Sequence, residues 1–107
     1  MKTYRGFRDS LGIAHVTVDG REISARLDLW NHSPTGREWG YFGSGPAQTA
    51  LAILADYLDN EHAEAAVRMH QRFKFDVIGK LPRLGWTLTA SDVAAWFQSQ
   101  IREARDG

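Results

Sequence analysis

The first third of the chain alternates apolar and polar residues in short runs, the pattern of β-strands that bury one face. Tyr4–Arg8 and Ala14–Val18 are predicted strands, and Asp19-Gly20 after the second is a strong signal for a hairpin turn. The returning strand is predicted over Arg21–Leu29, with its polar side chains in water. Its inward positions are Ile23, Ala25, Leu27 and Leu29.

From residue 47 onward the apolar spacing changes to that of helices. Ala47–Leu58 is apolar nearly all round, so we expect this helix in the middle of the fold, with Pro46 at its first position. A second helix is predicted over Glu61–Lys80. Its apolar stripe comprises Ala63, Ala66, Val67, His70, Phe73, Val77, Ile78 and Leu81. A third helix follows a capping-box pattern, Thr89-Ala90-Ser91-Asp92, and is expected to turn Val93, Trp96, Phe97, Ile101 and Ala104 inward.

The order of these elements predicts an α+β fold. Trp86-Thr87-Leu88 is a brief extended piece, so the order is βββ-ααα, or βββ-αα-β-α if that piece pairs. Either order predicts a small antiparallel sheet of three N-terminal strands, with or without a short fourth, packed on three helices. A length of 107 residues favours a single domain over residues 1–107 and excludes TIM barrels and most two-domain catalysts.

Composition limits which cellular compartment is expected and which kinds of catalytic or metal site the chain can form. The chain has no cysteine, which excludes a disulfide framework, a thiolate metal site and a thiol nucleophile. The first residues lack the apolar run of a signal peptide, so a cytoplasmic protein is expected. No two of the four histidines (His15, His32, His62, His70) have the i, i+4 spacing of a helical zinc site. No metal and no cofactor are therefore expected.

Charge is balanced in number but not in position. The chain has 13 basic and 13 acidic residues, and a net charge of zero does not attract nucleic acid or a membrane. Residues 41–64 contain acids and no base, whereas residues 65–86 contain five bases and one acid. Two interpretations remain open: complementary solvated ends of neighbouring helices, or a local basic face for an anionic partner.

The second helix offers the first candidate surface. At 100° per residue, Arg68, Arg72 and Phe75 share one solvent-facing stripe, and Lys80 lies to one side. Such a stripe suits an interface anchor, or a phosphate clamp with an aromatic ring for base stacking. In the alternative interpretation Phe75 packs under another element and the arginines are ordinary surface. We expect the stripe to bind a partner.

The loop over residues 31–38 is the second candidate surface, because functional residues favour loops held on a rigid scaffold. It carries His32 and Arg37 between two tryptophans. Adjacent His32 and Ser33 are a poor start for a catalytic triad, so no catalytic residue is expected. The turn Gly43-Ser44-Gly45-Pro46 lacks the lysine of a phosphate-binding loop, which favours a plain helix start over an anion site.

Several motifs extend this picture. They are His32-Ser33-Pro34-Thr35-Gly36, Trp39-Gly40-Tyr41, Gly43–Gln48 and Leu51–Asp56, with Phe73-Lys74, Val77-Ile78, Leu81-Pro82 and Trp86-Thr87-Leu88 downstream. Together they resemble the signature of a small uncharacterised family of phages, plasmids and integrative elements, over roughly residues 4–90. The resemblance implies no catalytic residue, substrate or cofactor. It implies a short cytosolic protein that binds host machinery, a class of which anti-CRISPR proteins are a prominent group.

The expected function is a non-enzymatic inhibitor that docks on a host protein or nucleoprotein complex, such as a CRISPR effector. The alternative is a small DNA- or RNA-binding accessory protein that uses the same basic helix, although the net charge does not favour nucleic acid. The oligomeric state stays open. Six residues are predicted to contact the partner: Arg68, Arg72, Phe75, Lys80, His32 and Arg37.

Overall fold

A computed structural model of the chain describes residues 1–34 and 36–106, the last of these in its backbone alone. The elements in chain order are β1 (Thr3–Arg8), β2 (Ala14–Val18), β3 (Arg21–Glu22), α1 (Ser44–Leu58), α2 (Ala63–Asp76), β4 (Gly85–Thr89) and α3 (Ala90–Asp106). Short 3₁₀ turns over Asn60–His62 and Ile78–Lys80 flank α2. Thr35, a member of the loop motif, lies outside the described residues. The predicted α+β class is confirmed.

The sheet is antiparallel throughout, in the order β3-β2-β1-β4. The piece around Trp86 does pair: β4 lies beside β1, in a register that runs from Thr3 opposite Thr89 to Phe7 opposite Gly85. The predicted hairpin turn is also confirmed. Asp19 and Gly20 have φ values of 49° and 83°, the left-handed pair that a two-residue turn of this kind requires.

The third strand is much shorter than the prediction of Arg21–Leu29. The strand itself covers Arg21–Glu22, and one more bond, from the Ile23 N–H to the carbonyl of Val16 on β2, follows before the chain leaves the sheet. The carbonyl of Ala25 accepts a 2.6 Å hydrogen bond from the Gln48 amide of α1 instead of a bond from a strand. One residue later the chain turns at Arg26, where φ is 54°. Ile23 is buried as predicted, but Leu27 is exposed.

Helix α1 is the centre of the core, as its apolar sequence predicts. Every residue from Ala47 to Ala55 is at most 2% exposed; the helix packs along α2 and shares one apolar core with Tyr4, Val16 and Val18 of the sheet. The helix begins at Ser44, so Pro46 is its third residue rather than its first. Proline is tolerated there because the first N–H groups of a helix have no internal partner. No helix within the described ranges is long and apolar enough to cross a membrane.

The other two helices end differently from the prediction. Helix α2 stops at Asp76, because Val77 leaves helical geometry and the carbonyl of Ile78 accepts a hydrogen bond from the Gly40 N–H. The capping box of α3 is confirmed by reciprocal bonds between Thr89 and Asp92, at 2.9 and 3.2 Å. Val93 and Trp96 are buried and Phe97 half-buried, as predicted. Ile101 and Ala104 were predicted inward but are exposed, because α3 continues beyond the elements that it packs on.

Candidate functional site

Gln48 of α1 fastens the start of the 31–38 loop to the core. Its side chain is fully buried, and its amide nitrogen donates to the carbonyls of Ala25 and Trp30 at 2.6 and 2.9 Å. Its amide oxygen accepts from the backbone N–H groups of His32 and Ser33 at 2.8 and 3.2 Å. One side chain therefore satisfies four backbone groups, and the position of His32 is set by α1.

His32 reaches across from this loop to α2. Its Nε2 lies 2.8 Å from Nε2 of His70, which is predicted as a core histidine and is 4% exposed. The Nδ1 of His70 lies 2.6 Å from the carbonyl of Val67. A carbonyl only accepts, so Nδ1 of His70 carries a proton, and Nε2 of neutral His70 accepts from Nε2–H of His32. Both rings are thus paired as neutral imidazoles.

Both histidines of this pair have a lowered pKa. For His32 the causes are burial, then the neighbouring charges of His70 and Lys74. For His70 the largest cause is again burial, with Lys74 adding to it, while hydrogen bonds to backbone carbonyls act in the opposite direction. The pair is therefore held neutral in a dry site beside a cation.

The far end of the same loop is tied to the sheet. Arg8 of β1 forms a two-bond ion pair with Glu38, at 3.0 and 3.2 Å, and lies over the ring of Trp39 at 4.7 Å. Arg37 donates to the carbonyl of Ile23 at 3.1 Å and stands 4.0 Å from Glu22. Arg37 thus serves to anchor the loop where the chain leaves β3.

The stripe predicted on α2 is exposed, but its two arginines are paired with acids. Arg68 lies 3.5 Å from Glu64, one turn earlier on the same helix. Arg72 lies 3.2 Å from Glu103 of α3 and 3.9 Å from Asp76. These carboxylates offset the positive charge of the stripe. Ion pairing, within α2 for Arg68 and with α3 for Arg72, therefore describes the two arginines better than an open basic face.

Phe75 has a different environment at the end of the same stripe. It is 51% exposed and packs against Phe42, whose ring centroid lies 5.4 Å away and which is 52% exposed. Tyr41, exposed to a similar extent, precedes Phe42 in the chain. We call Tyr41, Phe42 and Phe75 the aromatic cluster. Clustered exposed aromatic rings are unusual on a solvated surface and typical of the centres of interfaces.

Two glycine positions hold the aromatic cluster against the body. A Cβ at Gly79 would collide with the ring of Phe42, so the 3₁₀ turn after α2 lies directly beneath that ring. A Cβ at Gly43 would come within 2.6 Å of the Tyr41 ring. The glycine-rich start of α1 is thereby explained by packing, in agreement with a plain helix start. Lys80 is exposed next to Gly79, at the edge of the aromatic cluster.

Lys74 completes this surface, although the sequence did not single it out as a site residue. Its Nζ lies 4.3 Å from the centroid of the Phe75 ring, a cation–π contact. The residue is nevertheless only 7% exposed, which is rare for lysine. Lys74 thus contacts the aromatic cluster through Phe75, and its charge is also one of the causes that lower the pKa of His32 and of His70.

The structure brings some predicted residues together and separates others. Phe75 packs on Phe42 in the aromatic cluster, Lys80 is exposed after Gly79 in the chain, and His32 contacts His70 of α2. Arg68 and Arg72 are paired along α2, and Arg37 points to the sheet. Sequence reasoning missed Phe42 and Lys74. The one signal that could have found Lys74 is its position, one turn after buried His70 on the same side of α2.

The histidine pair has the geometry of a hydrogen bond and not of a metal site. Two nitrogens on one tetrahedral zinc lie about 3.3 Å apart, further than the observed 2.8 Å. Within residues 1–34 and 36–106 no three His, Asp or Glu side chains are grouped to hold a metal ion. The site combines exposed aromatic rings, a lysine over one of them and a fixed loop.

Comparison with known proteins gives a family without an assigned activity. No curated protein and no solved structure is significantly similar to the chain. Residues 4–99 match a family of unknown function (DUF6166), a span that includes the aromatic cluster, Lys74 and both histidines of the pair. The chain therefore belongs to the DUF6166 family.

Proposed function

We propose that this protein is a non-enzymatic binding module that docks, through the aromatic cluster, on an acidic patch of a partner protein. The observation that carries the proposal is the contact of two half-exposed rings, Phe42 and Phe75, with the Lys74 ammonium over the Phe75 ring and exposed Tyr41 beside Phe42 in the chain. Tyrosine and other aromatic residues dominate the energetic centres of protein interfaces. Lys74 and Lys80 give this surface the sign that suits an acidic partner.

A protein partner is supported over a nucleic acid by the arginines. Arg68 and Arg72 would be the phosphate contacts of a nucleic-acid interface, but Glu64, Asp76 and Glu103 already offset their charge. Phosphate binding depends on releasing counterions from unpaired basic groups, and paired arginines supply little of that. A steeply salt-dependent complex with DNA or RNA would make the protein a nucleic-acid-binding accessory factor instead.

As the biological setting, we propose that the partner belongs to a host defence complex, such as a CRISPR effector, and that docking inhibits it. This setting is supported by the motif resemblance to proteins of phages and mobile elements, and by the small size of the chain. The proposed setting also implies that the protein acts in the cytoplasm. Loss of inhibition should accompany loss of docking, since the site has no catalytic group in our proposal.

The test combines capture of a partner with an inhibition assay. Phe42→Ser and Phe75→Ser each remove one ring of the aromatic cluster, while Leu11→Ser removes a still more exposed apolar side chain on the β1–β2 turn. We expect each phenylalanine variant to weaken the captured complex about ten-fold or more, and Leu11→Ser to leave it unchanged. The melting temperatures of all three variants are to be compared with that of the wild-type protein, as a check that each variant folds.

The inhibition assay uses cells with an active CRISPR system and a phage that it targets. Expression of the wild-type protein should restore plaque formation, and both phenylalanine variants should fail to restore it. Equal capture by wild-type and Phe42→Ser protein would refute docking through the aromatic cluster. Unchanged plaque counts with the wild-type protein against every system tested would refute the anti-defence setting alone.

A further inference from the structure

A cavity of about 260 Å³ lies where α2, β4 and α3 meet. Four apolar side chains line it: Phe73 of α2, Val77 at the end of that helix, Leu88 of β4 and Val93 of α3. Asp92 of α3 completes the described lining and is its one exposed member, so it marks the side that opens to solvent. This lining shares no described residue with the aromatic cluster or with the histidine pair.

The apolar walls of the cavity are part of the packed core. Phe73 and Val93 are 1% and 0% exposed. The Phe73 ring packs edge-on against Trp96, with ring centroids 4.8 Å apart, and the indole N–H of Trp96 donates to Asp76 at 2.9 Å. Walls fixed by such packing keep the space open, because a close-packed interior relaxes only partly around a cavity.

The chemistry of these walls favours an apolar occupant over water. A buried water needs about two to four polar partners, whereas four of the five lining side chains are hydrocarbon. An apolar group that enters the cavity removes its own surface and that of the walls from water. In size the cavity lies between an apolar cavity of about 150 Å³, which holds benzene, and the sites of about 300 Å³ or more that take drug-sized ligands. It therefore fits one ring or one branched alkyl group on a short chain.

Asp92 supplies the charge of this lining. Its Oδ2 accepts from the Thr89 N–H at 2.9 Å, which fixes the carboxylate, while no described hydrogen bond uses its Oδ1. Nor do the ion pairs found among residues 1–34 and 36–106 include Asp92. Lys2, whose carbonyl accepts from the N–H of Ala90 at the start of α3, directs its ammonium to Asp56 at 3.1 Å. The Asp92 carboxylate therefore has an oxygen available for a cationic group on a ligand.

We propose that this cavity is a binding site for a small hydrophobic amine, in which a short chain joins a primary ammonium to one aromatic ring or branched alkyl group. The apolar part lies between Phe73, Leu88 and Val93, and the ammonium donates a charge-assisted hydrogen bond to Oδ1 of Asp92. Burial of the apolar part supplies most of the affinity, because an exposed carboxylate adds a preference for positive charge of only about five-fold or less. The site adds a small-molecule ligand to the docking function proposed above and does not depend on it.

The test follows the methyl NMR signals of Val77, Leu88 and Val93 while phenethylamine, a primary amine with one ring, is added at neutral pH and constant ionic strength. Two further probes separate the parts of the ligand: 2-phenylethanol keeps the ring without the charge, and ethylamine keeps the charge without the ring. We expect saturating shifts with phenethylamine, with half-saturation in the millimolar range. Binding of 2-phenylethanol should be about three- to five-fold weaker, and ethylamine should not saturate.

Asp92→Asn tests the charge. It keeps an oxygen that accepts from the Thr89 N–H and removes the negative charge. The affinity for phenethylamine should fall to that for 2-phenylethanol, whose own binding should not change. Glu61→Gln is the matched control, since it makes the same change of charge at an exposed acid between α1 and α2. It should leave the ratio of the two affinities as in the wild-type protein.

Val77→Phe tests the location, because it places a ring in the cavity from a half-buried position. Saturation by phenethylamine and by 2-phenylethanol should both be lost in this variant, with the melting temperature as the check that it folds. Saturation that persists in folded Val77→Phe would overturn the site. So would a linear wild-type response to phenethylamine, equal binding of phenethylamine and 2-phenylethanol, or a charge preference that survives in Asp92→Asn. The Asp92→Asn comparison decides the matter even if Val77→Phe does not fold.

Discussion

The molecule holds two histidine sites whose ring nitrogens are both hydrogen-bonded, yet their pKa values move in opposite directions. On the outer face of the sheet, His15 contacts Asp9 through Nε2 at 2.8 Å and Glu22 through Nδ1 at 2.6 Å. Hydrogen bonds to these two carboxylates raise its pKa, Asp9 having the larger effect. Between the 31–38 loop and α2, no described acid acts on the His32–His70 pair, and burial lowers both pKa values.

The comparison shows that the partner's charge, rather than the presence of a hydrogen bond, decides the direction. Carboxylates only accept, so His15 must carry a proton on both nitrogens to satisfy Asp9 and Glu22. In the His32–His70 pair one imidazole donates to the other, and the neutral rings already satisfy the bond. The first site therefore favours a cation and the second excludes one.

The two sites impose opposite limits on stability. His15, with a raised pKa, stabilises the fold fully below the unfolded pKa of about 6.5, and this contribution is lost as pH rises through its folded pKa. The His32–His70 pair has lowered pKa values, so it stays neutral at a pH at which the same histidines of the unfolded chain take up protons. The stability that the pair contributes is therefore lost as the pH falls from about 6.5 through the pKa values that His32 and His70 have in the folded protein. We expect maximal stability near pH 6.5 from these two sites.

The largest effect is expected from Gln48→Ala, which breaks the pair and leaves His15 untouched. The substitution removes the partner of four partly buried backbone groups, and such a group costs about 1–3 kcal/mol when it is left without a partner in a buried site. We expect the free energy of unfolding to fall by about 3 kcal/mol or more in urea titrations. Gln98→Ala, at an exposed glutamine of α3, should change it by less than about 0.5 kcal/mol. Equal effects of the two variants would show that Gln48 does not hold the loop.

His70→Gln tests whether the His32–His70 pair causes the loss of stability on the acid side of the pH profile. Without a titrating ring at residue 70, the loss of stability between about pH 6.5 and 5 should become shallower. The alkaline side, governed by His15, should keep its slope. Thermal unfolding over a series of pH values measures both. An acid side that stays as steep in His70→Gln as in the wild-type protein would contradict the assignment.

His15→Gln should remove the opposite slope. The stability that the wild-type protein loses above about pH 6.5 should no longer depend on pH in this variant, while the acid side is retained. The effect should be smaller than that of His70→Gln, because His15 is more accessible to solvent and its ion pairs are partly screened. Screening gives a second check: added salt should flatten the alkaline side of the wild-type profile but not the acid side.

The smallest effect is expected from Trp30→Ala. The Trp30 ring stacks on His32 at a centroid distance of 5.5 Å and is itself 53% exposed, so little core packing is lost. Uncovering His32 should raise its pKa toward the ordinary value, since burial is the largest cause of the shift. A pH titration followed by NMR measures this. An unchanged pKa of His32 would show that Trp30 does not contribute to the burial of that ring and that the contacts on the His70 side account for it.

Local patterns predicted the parts of the fold that depend on neighbours in the sequence. The Asp19-Gly20 turn and the capping box between Thr89 and Asp92 are each set by side chains within three residues. The apolar character of α1 similarly predicted its central position. The end of β3 was missed because it depends on Gln48, more than twenty residues further along the chain. Alternation alone does not reveal a competing hydrogen-bond donor on a distant helix.

The candidate site was predicted only in part, again because some of its contacts join residues that are far apart in the sequence. Helical spacing placed Phe75 on the surface and His70 in the core. It did not reveal that His32, 38 residues away, faces His70, or that the stem of Lys74 is covered. Both facts arise from the way the 31–38 loop lies over α2. The paired state of Arg72 was missed likewise, because Glu103 comes from another helix.

The position of β4 also determines how the chain can fold. β1 is hydrogen-bonded on one side to the strand that follows it and on the other to a strand that begins at Gly85. During synthesis β1 and β2 leave the ribosome early, and one edge of β1 stays unpaired until residues 85–89 are available. Contacts between such distant segments form slowly, because a long loop must close first. The ladder between β1 and β4 is thus expected to be the last of the sheet to form, and an unprotected β1 edge is the point at which an incomplete chain would aggregate.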